Sequence, residues 1–177
     1  MKPRIAFIFV CFLMLSGFSV EQAPVGQPSE ERKAQEALPQ SHDSLWDMLA
    51  KCKVTFDKKK YVFTLDYTPE VKALEKKQIT ASGFILPLES TDTFSHFLLS
   101  KRTPTCPFCP PGKPNEIIEV FTKKPMDWDE GIVAITGTMK FTNNTEMGLF
   151  FQLKDAENTT HATAPKNKFM HFLHRYL

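Results

Sequence analysis

Two cysteines three residues apart, Cys106 and Cys109, lie in the stretch Thr105-Cys106-Pro107-Phe108-Cys109-Pro110-Pro111-Gly112-Lys113-Pro114-Asn115. At that spacing both thiolates can reach one tetrahedral centre, and thiolates suit Zn²⁺ or Cu⁺. Two ligands do not close a zinc site. His96, in the apolar run ahead of the loop, is the first candidate for a third, with Cys52, His161, His171 and His174 behind it. Pro107, Pro110, Pro111 and Pro114 forbid a regular helix, because each lacks an N–H and fixes φ. The chemistry is therefore presented on a stiff, extended loop that loses little entropy on binding.

Two other uses of this loop compete with metal binding. Cys-Pro-Phe-Cys is similar to the Cys-Pro-Tyr-Cys of glutaredoxins, which implies thiol–disulfide exchange. A redox cysteine needs a helix N-terminus to lower its pKa, and the prolines after Cys109 block one. The βαβ pattern expected around such a pair is also missing. The third use is structural. A Cys106–Cys109 disulfide or plain packing would hold the rim, and Phe108, Pro110, Pro111, Pro114 and Asn115 would form a binding edge for a partner protein. No Gly-x-Ser-x-Gly, His-Glu-x-x-His or phosphate-cradling loop occurs. Glu89, Asp92 and Glu116 read as solvated loop carboxylates. A non-enzymatic role is expected, with no catalytic residue assigned.

The elements that must carry this loop are mostly strands. Residues 53–56 and 61–67 form two β-like runs around the basic turn Asp57-Lys58-Lys59-Lys60. In the second, Tyr61, Phe63, Leu65 and Tyr67 alternate with smaller or polar residues. Residues 79–86 read as a strand in which Gly83 marks a bulge or a close backbone approach. Residues 94–99 fit helix or strand. Residues 116–121 and 132–141 read as strands, and 147–153 closes a hairpin after an Asn143-Asn144 turn. Pro125-Met126-Asp127-Trp128 reads as a turn. A short helix capped by Ser44 carries Leu45, Met48, Leu49 and Cys52 on one face, with Cys52 a buried small hydrophobe. Thr68-Pro69-Glu70 opens a helical turn, and residues 169–177 could close the chain as a helix. Five or six short strands with few helices argue for a mainly β fold, a small barrel or sandwich.

The chain has 177 residues, room for one domain plus a leader. Lys2 and Arg4 precede an unbroken apolar run from Ile5 to Leu15 and then a small-residue region, the pattern of a signal peptide over 1–20. Residues 21–40, rich in Pro, Gln and Glu, are expected to be a disordered tether. Residues 41–177 make the domain. No membrane span remains after cleavage. Without Lys2 and Arg4 the chain carries 20 basic and 20 acidic residues, which gives no reason to expect nucleic acid or anionic lipid as a partner.

Several of these residues together resemble a known family. They are Trp46, then Glu70-Val71 and Leu74, then Gly83-Phe84-Ile85-Leu86-Pro87-Leu88-Glu89 and Phe97-Leu98-Leu99. Cys106, Pro110-Pro111, Pro114-Asn115-Glu116 and the strand around Gly137 complete the pattern. It is similar to a family of exported bacterial proteins of unknown function with an OB-like β-barrel, over about 45–153. Many members carry Cys-x-His where this chain has Cys106-Pro107-Phe108-Cys109. The resemblance implies a small OB-like barrel with short N-terminal and C-terminal helices and a periplasmic location. It also implies a transporter component or another exported protein as partner.

Overall fold

The computed structural model describes residues 30–104 and 112–160. Its core is a five-stranded mixed sheet closed in a ring: β3 (Gln78–Pro87), β4 (Thr93–Ser100), β5 (Ile117–Asp127), β6 (Ile132–Asn144) and β7 (Leu149–Asn158). The order around the ring is β3-β4-β5-β7-β6. Neighbours are antiparallel except β5 and β7, which run parallel. The first part of β3 pairs with β6 and the last part with β4, and Phe84 belongs to both ladders. Gly83 sits at this handover. A Cβ there would lie 2.6 Å from the backbone oxygen of Ser100, so only glycine lets the two strands approach.

Period-two alternation fills the ring. Ala81, Ile85, Phe97, Leu99, Ile118, Val120, Val133, Ile135, Met139, Phe151 and Leu153 are all buried in one cluster. Trp46, Leu49 and Cys52 join it from α2 (Ser44–Leu49) and the residues just after it, as does Val71 from α3 (Pro69–Lys72). Cys52 is buried and free. The hairpin β1 (Lys53–Asp57) and β2 (Val62–Asp66) is a separate two-stranded sheet. It is tied to the ring by Phe63 N donating to Thr145 O at 2.8 Å.

Several expectations need correction. Asp43, not Ser44, caps α2, because its Oδ1 accepts from Leu45 N at 2.9 Å while Oδ2 reaches Ser82 N. For residues 94–99, where the sequence leaves helix and strand both open, strand is what forms, since they complete ladders with β3 and β5. Pro125-Met126-Asp127 is not a turn but the end of β5. The β4 ladder breaks between Phe94 and His96, and the resulting irregularity on β5 accommodates a proline that cannot donate. Asn143 and Asn144 lie in β6, and the reversal falls after them, where Asn144 Oδ1 accepts from Met147 N. Within 30–40, helix α1 (Glu30–Glu36) is followed by a β-bridge between Gln40 and Arg102. The leader and the C-terminal 161–177 stretch, with His161, His171 and His174, lie outside the described residues.

Candidate functional site

The β4–β5 connection is the cysteine-bearing loop. Cys106, Phe108, Cys109, Pro110 and Pro111 lie outside the described residues, but both roots of the loop are described. Arg102 and Glu116 face each other across the base. Nε and Nη2 of Arg102 donate to Glu116 Oε1 at 3.0 and 2.9 Å, and Glu116 Oε2 accepts from Lys113 N at 2.9 Å. Only 12% of the Arg102 side chain and 10% of that of Glu116 are accessible, so the pair acts in a low dielectric. Arg102 Nη1 is buried and has no hydrogen-bond partner among the described residues. Lys101 N donates to Glu116 O at 3.0 Å, which extends the β4–β5 pairing beyond the strands.

Pro114, Asn115 and Glu116 form a 3₁₀ turn that leads into β5, and all three are buried. Pro114 and Asn115 therefore belong to the base of the loop, not to an exposed rim. Asn115 Nδ2 donates to Cys52 O at 3.2 Å and lies 3.5 Å from Ala50 O, which ties the loop base to the end of α2; Oδ1 has no partner among the described residues. The N-terminal segment straps the other root. Ser41 N donates to Lys101 O, Gln35 Nε2 to Thr103 O, and Thr103 Oγ1 to Pro39 O. Trp46 Nε1 and Ser41 Oγ both donate to Ser82 O on β3. None of these clamps is a recognisable motif. The only signal for them in the chain is a charged pair, Arg102 and Glu116, flanking a proline-rich loop.

His96 lies within β4, ahead of the loop root. It lies on the outer face of the ring, where its Nε2 is 2.8 Å from Glu119 Oε1 and its ring stacks on Phe121 at 4.3 Å between centroids. Gln152 Nε2 donates to the second Glu119 oxygen, and the ammonium of Lys154 lies 3.0 Å from the Phe121 centroid. Burial, more than any neighbouring charge, lowers the Lys154 pKa. Among the described residues no three His, Cys, Asp or Glu side chains converge to hold a metal ion. Glu116 is at the loop base, but it is buried against Arg102 rather than solvated. Glu89 and Asp92 lie instead on the β3–β4 turn at the opposite end of the ring, beside Asp127 and an exposed Trp128.

Fold and base together define a mainly β scaffold that holds one clamped loop. The chain belongs to the family described as "Protein of unknown function (DUF3299)", whose model matches residues 22–155. It is similar to a DUF3299 family protein from Pseudomonas aeruginosa PAO1 of known crystal structure. Identity is 21%, 68% of this chain and 83% of that one are covered, and the TM-score is 0.44. No curated protein matches.

Proposed function

We propose that this is an exported, non-catalytic binding protein that works through its β4–β5 loop, with Cys106 and Cys109 as ligands for a soft metal ion, Zn²⁺ or Cu⁺. The observation that carries this reading is the anchoring of both loop roots by the Arg102–Glu116 pair, the Lys113 amide and Asn115. A base held this firmly limits the entropy lost when the loop takes a ligand. Two thiolates suit a soft cation. A contribution from His96 would cost it the Glu119 pair.

An OB-type barrel is the finer fold we propose. It is supported by three strands in meander, β3-β4-β5, with the last strand closing parallel to β5. Export to the periplasm rests on the leader pattern, and a transporter component is the partner that fits such a carrier.

Metal content of the purified protein tests the reading. Bound Zn or Cu is expected in the parent and lost in the Cys106→Ser/Cys109→Ser variant. Unchanged stoichiometry in that variant, or no metal in the parent reconstituted under reducing conditions, refutes it. The latter result would leave the loop as a protein-docking edge built on Phe108, Pro110 and Pro111.

A further inference from the structure

We propose that the end of the ring carrying the β1–β2 hairpin docks on an anionic lipid surface. Lys58, Lys59 and Lys60 are consecutive and exposed at the hairpin tip. No carboxylate pairs with them among the described residues. The tip is built rather than frayed. Asp57 Oδ1 accepts from Lys59 N and Lys60 N at 2.8 and 3.2 Å, so this carboxylate is engaged by the backbone. Tyr61 adopts the left-handed region at φ 53°, a costly conformation for an aromatic residue, and is 75% exposed. Its ring meets Phe56, 41% exposed, edge-on at 6.2 Å.

A third exposed apolar side chain lies on the neighbouring turn. Met147, 70% exposed, projects from the β6–β7 turn. That turn abuts the hairpin, because Thr145 O accepts from Phe63 N. A Cβ built on Gly148 would lie 3.1 Å from both Phe63 and Pro114, which places the hairpin, this turn and the base of the cysteine loop at one end of the ring. Cations beside exposed Tyr, Phe and Met are the chemistry of a membrane interface, where apolar groups enter the headgroup region and lysines meet lipid phosphates. An acidic protein would satisfy the lysines but has less use for the apolar trio.

Charge is uneven along the ring, with exposed Lys123 and Lys124 on β5 set against the acidic far end, and this orients the molecule. At the far end, Glu89, Asp92 and Asp127 line an open groove of about 880 Å³ with no basic residue in its wall. An anionic surface repels that end and attracts the hairpin. Near-neutral net charge hides this separation. At the docking end, Glu146 on the β6–β7 turn is exposed and opposes binding, and Asp66 stands opposite Lys53 across the hairpin.

The inference does not depend on a metal at Cys106 and Cys109. Co-sedimentation of the full chain with phosphatidylglycerol-rich vesicles tests it. Comparison with variants of the same chain makes the apolar N-terminal stretch contribute equally to each. Each lysine near such a surface favours binding about fivefold, so Lys58→Gln/Lys59→Gln/Lys60→Gln should lower the partition coefficient about 100-fold at low salt. The difference should close at ~1 M salt, where charges are screened beyond about 3 Å. Tyr61→Ser, an exposed position, should weaken binding with an unchanged unfolding curve, and Glu146→Gln should strengthen it. A triple variant that partitions within about threefold of the parent overturns the proposal, given the effect expected of three lysines. So does equal discrimination by parent and variant between phosphatidylglycerol-rich and pure phosphatidylcholine vesicles. Retention on an acidic protein column without retention on anionic vesicles likewise overturns it.

Discussion

Removing the Glu116 carboxylate should destabilise the whole domain, because it holds the loop base from three directions. Its two oxygens accept from Arg102 Nε, Arg102 Nη2 and Lys113 N. Taking one partner from a buried ion pair costs about 3–5 kcal/mol, since the remaining charge stays desolvated. Here two features reduce that figure. Arg102 keeps Glu36 Oε1 at 3.9 Å, and its side chain retains 12% accessibility. The lost acceptor for Lys113 N adds about 1 kcal/mol back. Glu116→Ala should therefore cost about 3 kcal/mol, a large share of the ~5–15 kcal/mol typical of a domain. In urea this should move the unfolding midpoint down by about 1–2 M, for a slope of about 2 kcal/mol/M. Glu116→Gln keeps an acceptor for Lys113 N and should cost roughly half as much. The double replacement Arg102→Met/Glu116→Leu removes both charges together and should come within about 1 kcal/mol of the parent, because no desolvated ion is left behind. The reasoning is refuted by a Glu116→Ala midpoint equal to that of the parent. It is equally refuted by a double variant as damaged as the sum of the singles, since the two residues would then act independently.

Gly83→Ala places a methyl 2.6 Å from Ser100 O, a backbone atom that cannot swing aside, and should cost about 1–3 kcal/mol by the same urea measurement; no shift would mean that β3 and β4 separate freely. Tyr67 should titrate late. Burial first, then the nearby Cys52 and Glu75, push its pKa up to about 12, while its hydroxyl donates toward Thr142 O and Phe150 O. The folded state thus holds this proton more tightly than the unfolded chain, whose tyrosine ionises near about 10. The resulting stability is complete below about pH 10 and is lost as the pH rises toward 12. Ultraviolet titration should show a delayed tyrosine transition that is absent in Tyr67→Phe; an unchanged titration curve in that variant above about pH 10 would contradict the burial.

Much of the fold was legible because strand alternation is a local property. Val133, Ile135 and Met139 alternate with Ala134, Thr136 and Thr138 in the chain, and the first set fills the ring. Gly83 announced a close approach, and Cys52 on an apolar stripe announced burial, both because the cause lies within a few residues of the effect. The β1–β2 hairpin was visible as two alternating runs about a basic turn. Local pattern failed at Pro125, where propensity says turn and an irregular ladder with β4 says strand. Nor does local pattern carry the contacts of Gln35 with Thr103 and of Gln40 with Arg102, far along the chain.

For the candidate site the division is sharper. Residue types alone placed two thiols at a metal-binding spacing in a proline-bounded stretch, which reads as a stiff loop. They could not say that Glu116, read as a solvated carboxylate, would be buried against Arg102 on the other root of the loop. Nor could they say that His96 would turn outward to Glu119 on β5. Side-chain alternation and imino-acid stiffness act between neighbours in the chain, so composition and spacing determine them. Which carboxylate meets which cation, and which end of the molecule collects lysines, depends on the register in which distant strands close the ring, and only the folded structure decides that.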